Sequence, residues 1–197
     1  MPTLTDRPSA ARDRLLRTAA ALFYADGINA VGVDRVIAEA QVTKSTFYRH
    51  FPSKEQLVVA YLEAIDNQFR DWFSTLDGEH EDPVDVLRAF YSGIALYLCG
   101  DDFRGCHFIN AAAEEPNQGL PIRQAVMAHR SWFRKTVRET LERARFPAAA
   151  AATDNLVMLR DGAMVQGYLE SPKSAGDALM RGFELTLKHP ELFSPAA

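Results

Sequence analysis

The sequence predicts an all-α protein of about nine helices, and three observations support this fold class. Apolar residues recur at three- and four-residue spacing along most of the 197 residues, which is the pattern of helices that pack one face against a core. Runs of alternating β-branched residues joined by tight hairpin turns are missing. Proline, glycine and capping residues divide the chain into segments of helical length.

The first three predicted helices are short. Residues 9–26 form the first, because apolar residues keep the helical period and Gly27 then supplies a stop. Residues 33–40 and 44–51 form the second and third, which are joined by the turn "QVT". Thr43 is the expected N-cap of the third helix. Two short helices joined by a turn of three or four residues are typical of a helix-turn-helix.

The fourth predicted helix is long. Pro52 ends the third helix, and Ser53 begins an S-x-x-Q capping box that opens the fourth. Helical spacing of apolar residues then continues to about Leu76, which corresponds to roughly 35 Å of helix.

In the ninth helix, Ser174 and Asp177 resemble a capping pair. The five later helices are predicted at about 83–99, 106–114, 121–145, 154–170 and 174–189.

Composition and charge restrict the function. Hydrophobic residues make up 47% and charged residues 24%, which is typical of a globular protein. No apolar run reaches the roughly 18 residues of a membrane span, and the N-terminus lacks the apolar core of a secretion signal. We therefore expect a cytoplasmic protein with no membrane partner. Net charge is −4, but residues 1–60 carry 8 Lys+Arg against 6 Asp+Glu, whereas residues 61–197 carry 14 against 20. The N-terminal part is therefore positive and the remainder negative.

The stretch "QVTKSTFYRHF" contains the third helix and is unusually basic and hydroxylated. Phe47 and Phe51 are expected to turn into the domain. The opposite side then presents Lys44, Ser45, Tyr48 and Arg49. A DNA major groove admits one α-helix, and these side chains can hydrogen-bond base edges and phosphates. The alternative is a charged helix that faces only water.

The segment "TAAALFYADGINAVGVDRVIAEAQVTKSTFYRHFPSKEQLVVAYL" resembles the N-terminal domain of TetR-type transcriptional repressors. The family pattern has Phe and then Gly near the end of the first helix, followed by "I-A-x-x-A-G-V" and "S-x-x-T-x-Y-x-H-F-x-S-K-E-x-L". The matching residues are Phe23, Gly27, Ile37, Ala38, Ala40, Val42, Thr43, Thr46, Tyr48, His50, Phe51, Ser53, Lys54, Glu55 and Leu57. The chain departs from the pattern at Gln41 and Ser45, where the family usually has glycine.

The resemblance implies which side chains contact DNA, and these carry a positive charge, a hydroxyl group or an imidazole. The expected phosphate contacts are Thr43, Lys44, Thr46, Tyr48, Lys54 and, close to the backbone, His50. Ser45 and Arg49 are the expected contacts to base edges, with Lys44 shared between the two roles. Arg35, at the start of the second helix, is expected to add a contact.

The resemblance also implies a division of labour along the chain. It predicts a helix-turn-helix domain at 9–54, a helical ligand-binding and dimerisation domain at 55–189, and flexible ends at 1–8 and 190–197. A homodimer formed through helices near 154–170 and 174–188 would bind a palindromic double-stranded DNA operator. Small residues on those helices permit close helix contact, either between subunits or within one chain: Gly162, Ala163, Gly167, Ala175, Ala178 and Gly182.

An effector pocket is predicted among the C-terminal helices, on two kinds of residue. Aromatic side chains supply apolar walls, and polar residues inside apolar runs supply anchors; His107, His129 and Arg160 are further polar residues of this kind. The candidate ligand-binding residues are Trp72, Phe90, Tyr91, Cys106, Phe108, Asn110, Trp132, Phe133 and Gln166. Each aromatic can instead belong to the core, and each polar group can be satisfied by neighbouring protein groups. A small-molecule effector of unspecified identity is expected, with no cofactor and no metal ion.

Cys106 has several possible roles. A buried cysteine that packs as a small apolar group is the simplest. A reactive thiol is an alternative, because Arg104 and a helix N-terminus would favour the thiolate. A disulfide with Cys99 and a metal site with His107 are weaker alternatives, since two cysteines and one adjacent histidine form a poor metal signature.

The predicted function is a one-component transcriptional regulator, most simply a repressor that a small-molecule effector releases from its operator. Regulation through oxidation or electrophile modification of Cys106 is an alternative, and so is transcriptional activation. An enzyme is disfavoured, because the sequence has no glycine-rich phosphate loop, nucleophile elbow or H-E-x-x-H motif. A protein–protein adaptor that retains the helix-turn-helix fold is the remaining alternative.

Overall fold

The computed structural model describes residues 9–193 and confirms the all-α prediction. Within that range the chain forms nine α-helices and a short terminal 3-10 helix, and it forms no strand. The elements are α1 (Ala10–Asp26), α2 (Val33–Glu39), α3 (Lys44–His50), α4 (Lys54–Glu79), α5 (Pro83–Leu98), α6 (His107–Glu114), α7 (Pro121–Arg143), α8 (Ala149–Leu169), α9 (Pro172–Lys188) and the 3-10 helix Pro190–Phe193. None of the described helices is both long and apolar enough to cross a membrane.

The described chain divides into two compact units. The first contains residues 9–66 and 107–126, and the second contains residues 67–106 and 127–193. Helix α6 therefore packs with the N-terminal helices. The predicted domain boundary between residues 54 and 55 concerns function and stays a prediction, but compactness alone groups α6 with α1, α2 and α3.

The first unit is built around the apolar stripe of α1, which packs against α2 and α3. The Phe23 ring lies 5.8 Å from the Tyr61 ring, so α1 is also fixed to the beginning of α4. Each buried Leu or Phe of such a core contributes roughly 1.5–3 kcal/mol of hydrophobic stabilisation. The buried apolar residues of these four helices are Leu15, Ala19, Leu22, Phe23, Val36, Phe47, Leu57, Val58, Tyr61 and Leu62.

The second unit is centred on α5, which packs against α8 and α9. Two glycines let these helices approach closely. A Cβ atom on Gly182 of α9 would lie 2.8 Å from Leu159 of α8, and one on Gly167 of α8 would lie 3.2 Å from Leu98 of α5. Part of the small-residue pattern on α8 and α9 therefore serves packing within one chain.

Helix α4 is longer than predicted, because residues 77–79 continue the helix instead of forming a loop. Its 26 residues correspond to about 39 Å. Arg143 of α7 donates two hydrogen bonds to Asp77, and these hydrogen bonds lower the pKa of the Asp77 carboxyl. The backbone N–H of His80 then donates to the carbonyl of Leu76, which closes the last turn. A contact to a distant helix thus stabilises residues 77–79 in helical form.

The predicted start of α9 differs from the structure. Helix α9 begins at Pro172, and its N-cap is Ser171, whose Oγ accepts a hydrogen bond from the Ser174 backbone N–H at 3.3 Å. The predicted Ser174/Asp177 cap is wrong, because proline is favoured in the first turn and moves the start of the helix forward. Residues 190–193, predicted to be flexible, form the terminal 3-10 helix. The other predicted flexible residues, 1–8 and 194–197, lie outside the described residues.

Candidate functional site

The turn between α2 and α3 has an unusual backbone. Gln41 has a φ of 52°, in the left-handed region that glycine adopts without cost. Thr43 then caps α3, since its Oγ accepts a hydrogen bond from the Thr46 backbone N–H at 3.1 Å. The cap confirms the predicted start of the helix. The structure also shows why glycine suits position 41, although this chain has glutamine there.

We expect Gln41→Gly to stabilise the protein. The left-handed conformation costs a non-glycine residue about 1 kcal/mol, so the substitution is expected to raise the free energy of unfolding by about 0.5–1 kcal/mol. Urea unfolding followed by circular dichroism would measure the change. Gln41→Ala is the matched control, because alanine keeps the backbone cost and should not stabilise. Equal stabilities for the two variants would contradict this explanation.

Helix α3 separates its side chains into an anchoring face and an exposed face. Phe47 is completely buried and Phe51 almost so, and their ring centroids lie 6.2 Å apart. The exposed face carries Thr43, Lys44, Ser45, Tyr48 and Arg49. Hydroxyl, ammonium and guanidinium groups of this kind can contact phosphates and base edges. The structure therefore brings together the residues predicted for the centre of the DNA contact.

The predicted DNA-contact residues at the end of α3 and the start of α4 are less accessible to solvent. His50 is half-buried, and its Nε2 lies 3.2 Å from the Oγ of Ser9, within hydrogen-bonding distance. Lys54 is half-buried at the first position of α4. Ser53 accepts a hydrogen bond from the Gln56 backbone N–H at 3.1 Å, so the predicted serine cap is present. Lys54 therefore stands at a capped helix N-terminus, which favours phosphate.

Arg35 and Lys44 already have acidic partners within the unit. Arg35 lies 2.7 Å from the Asp26 carboxylate and 2.9 Å from that of Glu39. The hydrogen bonds that the Arg35 guanidinium donates to Glu39 and then to Asp26 raise its pKa. Lys44 has a weaker ion pair with Asp34 at 3.4 Å. DNA phosphates must therefore compete with carboxylates for both side chains.

Glu114, at the end of α6, binds the turn that follows α1. Its carboxylate accepts hydrogen bonds from the backbone N–H groups of Ile28 at 2.9 Å and Asn29 at 2.6 Å. The Asn29 side chain returns a hydrogen bond to the Glu114 carbonyl at 3.2 Å. Gly27, with a φ of 91°, leaves room, because a Cβ there would lie 3.2 Å from the carboxylate. We call this set of contacts the Glu114 clasp. No local sequence pattern predicts it.

The beginning of α6 is held to the same unit by aromatic contacts. The His107 ring stacks on Tyr24 with a centroid distance of 4.0 Å. Its Nδ1 lies 2.5 Å from the Tyr61 hydroxyl. His107, a predicted polar anchor, therefore has protein partners. Both ends of α6 are thus bound to the helices that position α3.

In the second unit, five of the predicted ligand-binding residues form one aromatic cluster. The Phe90 ring is fully buried and lies 4.7 Å from Trp72 and 5.7 Å from Phe133. Tyr91 and Trp132 each lie within 6.5 Å of Phe133. Trp72 can lie against α5 because residue 93 is glycine, where a Cβ would be 2.2 Å from the indole ring. The cluster residues are Trp72, Phe90, Tyr91, Trp132 and Phe133.

The remaining candidates have different surroundings. Cys106 is buried in the second unit as a free thiol, and Cys99 is exposed and also free. Phe108 and Asn110 belong to α6 and therefore to the first unit. Gln166 is exposed and lines a surface groove of about 330 Å³ between α8 and α9. Gln166 is therefore a surface residue and not a member of the buried aromatic cluster.

The surface of α8 and α9 carries exposed apolar side chains. Met158 and Leu169 are each 71% exposed, and Leu185 is 56% exposed. Gly162 has open space beside it and lines the same groove as Gln166. Exposed apolar side chains concentrated on two neighbouring helices are typical of an interaction surface.

The comparisons with known proteins agree with this geometry. Residues 15–61 match the family model described as bacterial regulatory proteins, tetR family. The solved structure of a TetR-family transcriptional regulator from Streptomyces coelicolor is 42% identical, with a TM-score of 0.87 over 93% of this chain and 96% of that one. The chain belongs to the TetR family. It is therefore a DNA-binding transcriptional regulator and not an enzyme.

Two curated relatives extend the comparison to other TetR-family proteins. The transcriptional regulator LmrA of Bacillus subtilis is 27% identical over 135 residues, covering 66% of this chain and 72% of LmrA. The transcriptional repressor KstR2 of Mycolicibacterium smegmatis is 33% identical over 85 residues, covering 43% of this chain and 38% of KstR2. The roles of individual DNA- and ligand-binding residues stay predictions.

Proposed function

We propose that this TetR-family regulator is a repressor that binds a palindromic operator as a homodimer and leaves it when a small-molecule effector binds. The observation that carries the proposal is the exposed face of α3, where hydroxyl, ammonium and guanidinium groups stand opposite the buried Phe47 and Phe51. Such a face suits a major groove. KstR2, a relative of this chain, is a transcriptional repressor, which supports repression rather than activation.

The exposed apolar surface of α8 and α9 supports the homodimer. Two-fold symmetry would bury Met158, Leu169 and Leu185 against the same surface of a partner and place two α3 helices on one operator. Size-exclusion chromatography with light scattering would give a dimer for the wild type. Met158→Arg is expected to shift it to monomer, whereas Leu192→Arg, in the terminal 3-10 helix, is the exposed control. A monomeric wild type would contradict the dimer.

The Glu114 clasp supports coupling between effector and operator. Cys106 is the last residue of its segment of the second unit, and α6 begins at the next residue. An effector that favours a different position of α6 would move the turn bound by Glu114, and α2 and α3 follow that turn. Coupling of this kind is reciprocal, so operator binding lowers effector affinity by the same factor.

We expect Glu114→Gln to weaken the connection between α6 and the α1–α2 turn. A charged acceptor of two backbone N–H groups becomes a neutral amide with one acceptor oxygen, which costs about 1–3 kcal/mol. Hydrogen exchange at the amides of Ile28 and Asn29 should become faster. Glu115→Gln is the matched control, since Glu115 accepts only a local hydrogen bond from Asn117 in the described structure. Unchanged exchange at both amides would contradict the role of the clasp.

The decisive experiment for the proposed function uses the full-length protein and DNA. Operators selected from a random double-stranded library should be palindromic, with half-sites about one helical turn apart. A reporter gene behind such an operator should be expressed less when the protein is present. Higher expression would instead identify an activator. Failure to select any sequence from the library would refute sequence-specific regulation.

A second candidate function is regulation through Cys106, and one observation favours it. The buried Cys106 side chain is in hydrogen-bonding contact with the Arg160 guanidinium, so an oxidised sulfur would disturb a buried charged group. Peroxide would transfer one oxygen to the sulfur, giving a sulfenic acid and water. Peroxide should then release wild-type protein and Cys99→Ser from DNA but not Cys106→Ser. Release of all three proteins alike would refute this mechanism.

A further inference from the structure

The second unit contains a buried guanidinium whose charge is incompletely balanced. Arg160 of α8 is only 4% exposed, and it lies over the Phe133 ring at 5.2 Å. It donates a hydrogen bond to Asp161 at 3.0 Å, but Asp161 also binds Arg130 at 2.6 Å. Two guanidiniums therefore share one carboxylate. A buried unbalanced charge is costly unless an opposite charge is supplied.

Arg160 keeps its charge in this environment. Burial lowers the pKa of the guanidinium, but interactions with the neighbouring Cys106 and Asp161 side chains, which include hydrogen bonds, outweigh burial and hold its pKa above the ordinary value. Its Nε is buried and has no hydrogen-bond partner within residues 9–193. One donor of a charged group is therefore available to a ligand.

Tyr91 supplies a second available donor beside Arg160. Its ring is fully buried and stacks on Phe183 at 4.9 Å. Its hydroxyl has no partner in the described part of the chain. Burial raises the pKa of this hydroxyl, and the charges of Arg160 and Asp161 both act on it. The Tyr91 hydroxyl is therefore a neutral O–H donor that lies close enough to Arg160 and Asp161 to interact with their charges.

The surrounding aromatic cluster indicates the rest of the ligand. Phe133 contacts both Arg160 and Tyr91, and Phe90 and Trp72 continue the apolar surface. We infer that Arg160 and Tyr91 bind the carboxylate of an effector whose body is apolar. A carboxylate accepts several hydrogen bonds, and its single charge matches the one unbalanced guanidinium. This inference rests on the proposed function, because the ligand is the effector of that function.

Matched acids and amides test the carboxylate directly. The probes are phenylacetate, 1-naphthaleneacetate and decanoate, each compared with its primary amide on full-length protein by calorimetry. We expect at least one acid to bind at least about 10-fold more tightly than its amide, because the charge-assisted hydrogen bonds are lost in the amide. Binding of no acid at about 10 mM, or equal affinities within every acid–amide pair, would overturn the inference.

Two variants separate recognition from folding. Tyr91→Phe keeps the stacked ring and should weaken the acid about 5-fold or more, and it should weaken the amide less, because the amide carbonyl is an uncharged acceptor. Arg160→Gln should remove the preference for the acid, whereas Lys135→Ala, on the exposed surface of α7, should keep it. Both binding variants should retain the wild-type circular dichroism spectrum and operator affinity. Unaltered acid affinity in both would show that the two groups are only structural.

Release of the protein from its operator tests the proposed function separately from the carboxylate site. A compound that releases wild-type protein and Arg160→Gln from the operator equally would overturn the carboxylate site and leave effector-controlled repression standing. Tight binding of an acid that never affects the operator complex would support the carboxylate site and overturn effector-controlled repression. The same protein preparations serve both measurements, so the two failures are distinguishable.

Discussion

Arg49→Ala and Lys44→Ala are each expected to weaken operator binding by about 5- to 150-fold without unfolding the protein. A lost base or phosphate contact costs about 1–3 kcal/mol, and the two variants should differ in kind. Arg49 is expected to read base edges, so Arg49→Ala should relax the preference for the selected operator. Lys44 is expected to hold phosphate, so Lys44→Ala should also weaken non-specific DNA and reduce the salt dependence of binding.

Fluorescence anisotropy at several salt concentrations would measure both effects. Lys135→Ala is a suitable control, because Lys135 is an exposed lysine on α7 whose ion pair with Glu139 lies on the surface. Exposed substitutions of this kind change stability by less than about 0.5 kcal/mol. Wild-type affinity in both α3 variants would refute the assignment of this face to DNA.

Phe47→Ala is expected to abolish operator binding by a different route. Phe47 is fully buried beneath α3 and packs against Phe51 and Tyr48. Truncation of a buried phenylalanine to alanine costs about 3–5 kcal/mol, which is a large fraction of the stability of a small domain. We therefore expect the first unit to unfold at lower urea concentration.

Hydrogen exchange would locate the loss in residues 9–66 and 107–126 and leave α5, α8 and α9 protected. The comparison with Arg49→Ala is informative, because the two residues lie two positions apart on opposite sides of one short helix. Arg49→Ala should lose DNA binding with its fold intact, whereas Phe47→Ala should lose both DNA binding and the fold of the first unit. Wild-type urea stability in Phe47→Ala would contradict the anchoring role.

Local patterns predicted the helices well, and they also predicted which face of α3 is buried. The Thr43 cap, the buried Phe47 and the left-handed Gln41 follow from rules that involve neighbours within a few residues. Helix ends were predicted less accurately where a distant partner decided them. Asp77 is helical because Arg143 binds it, and that pairing leaves no mark in either local sequence.

The parts of the site that the sequence did not predict depend on contacts between distant segments. Glu114 binds backbone groups 85 and 86 residues away, and backbone donors have no sequence signature. Arg160 was recognisable as a charge within an apolar run, but its position over Phe133 required the packing of two helices. Helical spacing could not decide which side of α8 faces the core, so exposed Gln166 and buried Arg160 were equally plausible.

The ion pairs of Arg35 have a consequence for the search along the chromosome. Any phosphate that engages Arg35 must first displace Asp26 or Glu39 from the guanidinium. Random sequences offer little else to offset that exchange, whereas a true operator offers contacts along the whole of α3. If Arg35 contacts DNA as predicted, we expect these two carboxylates to compete with phosphate for the guanidinium and thereby to shorten the residence of the protein on non-operator DNA.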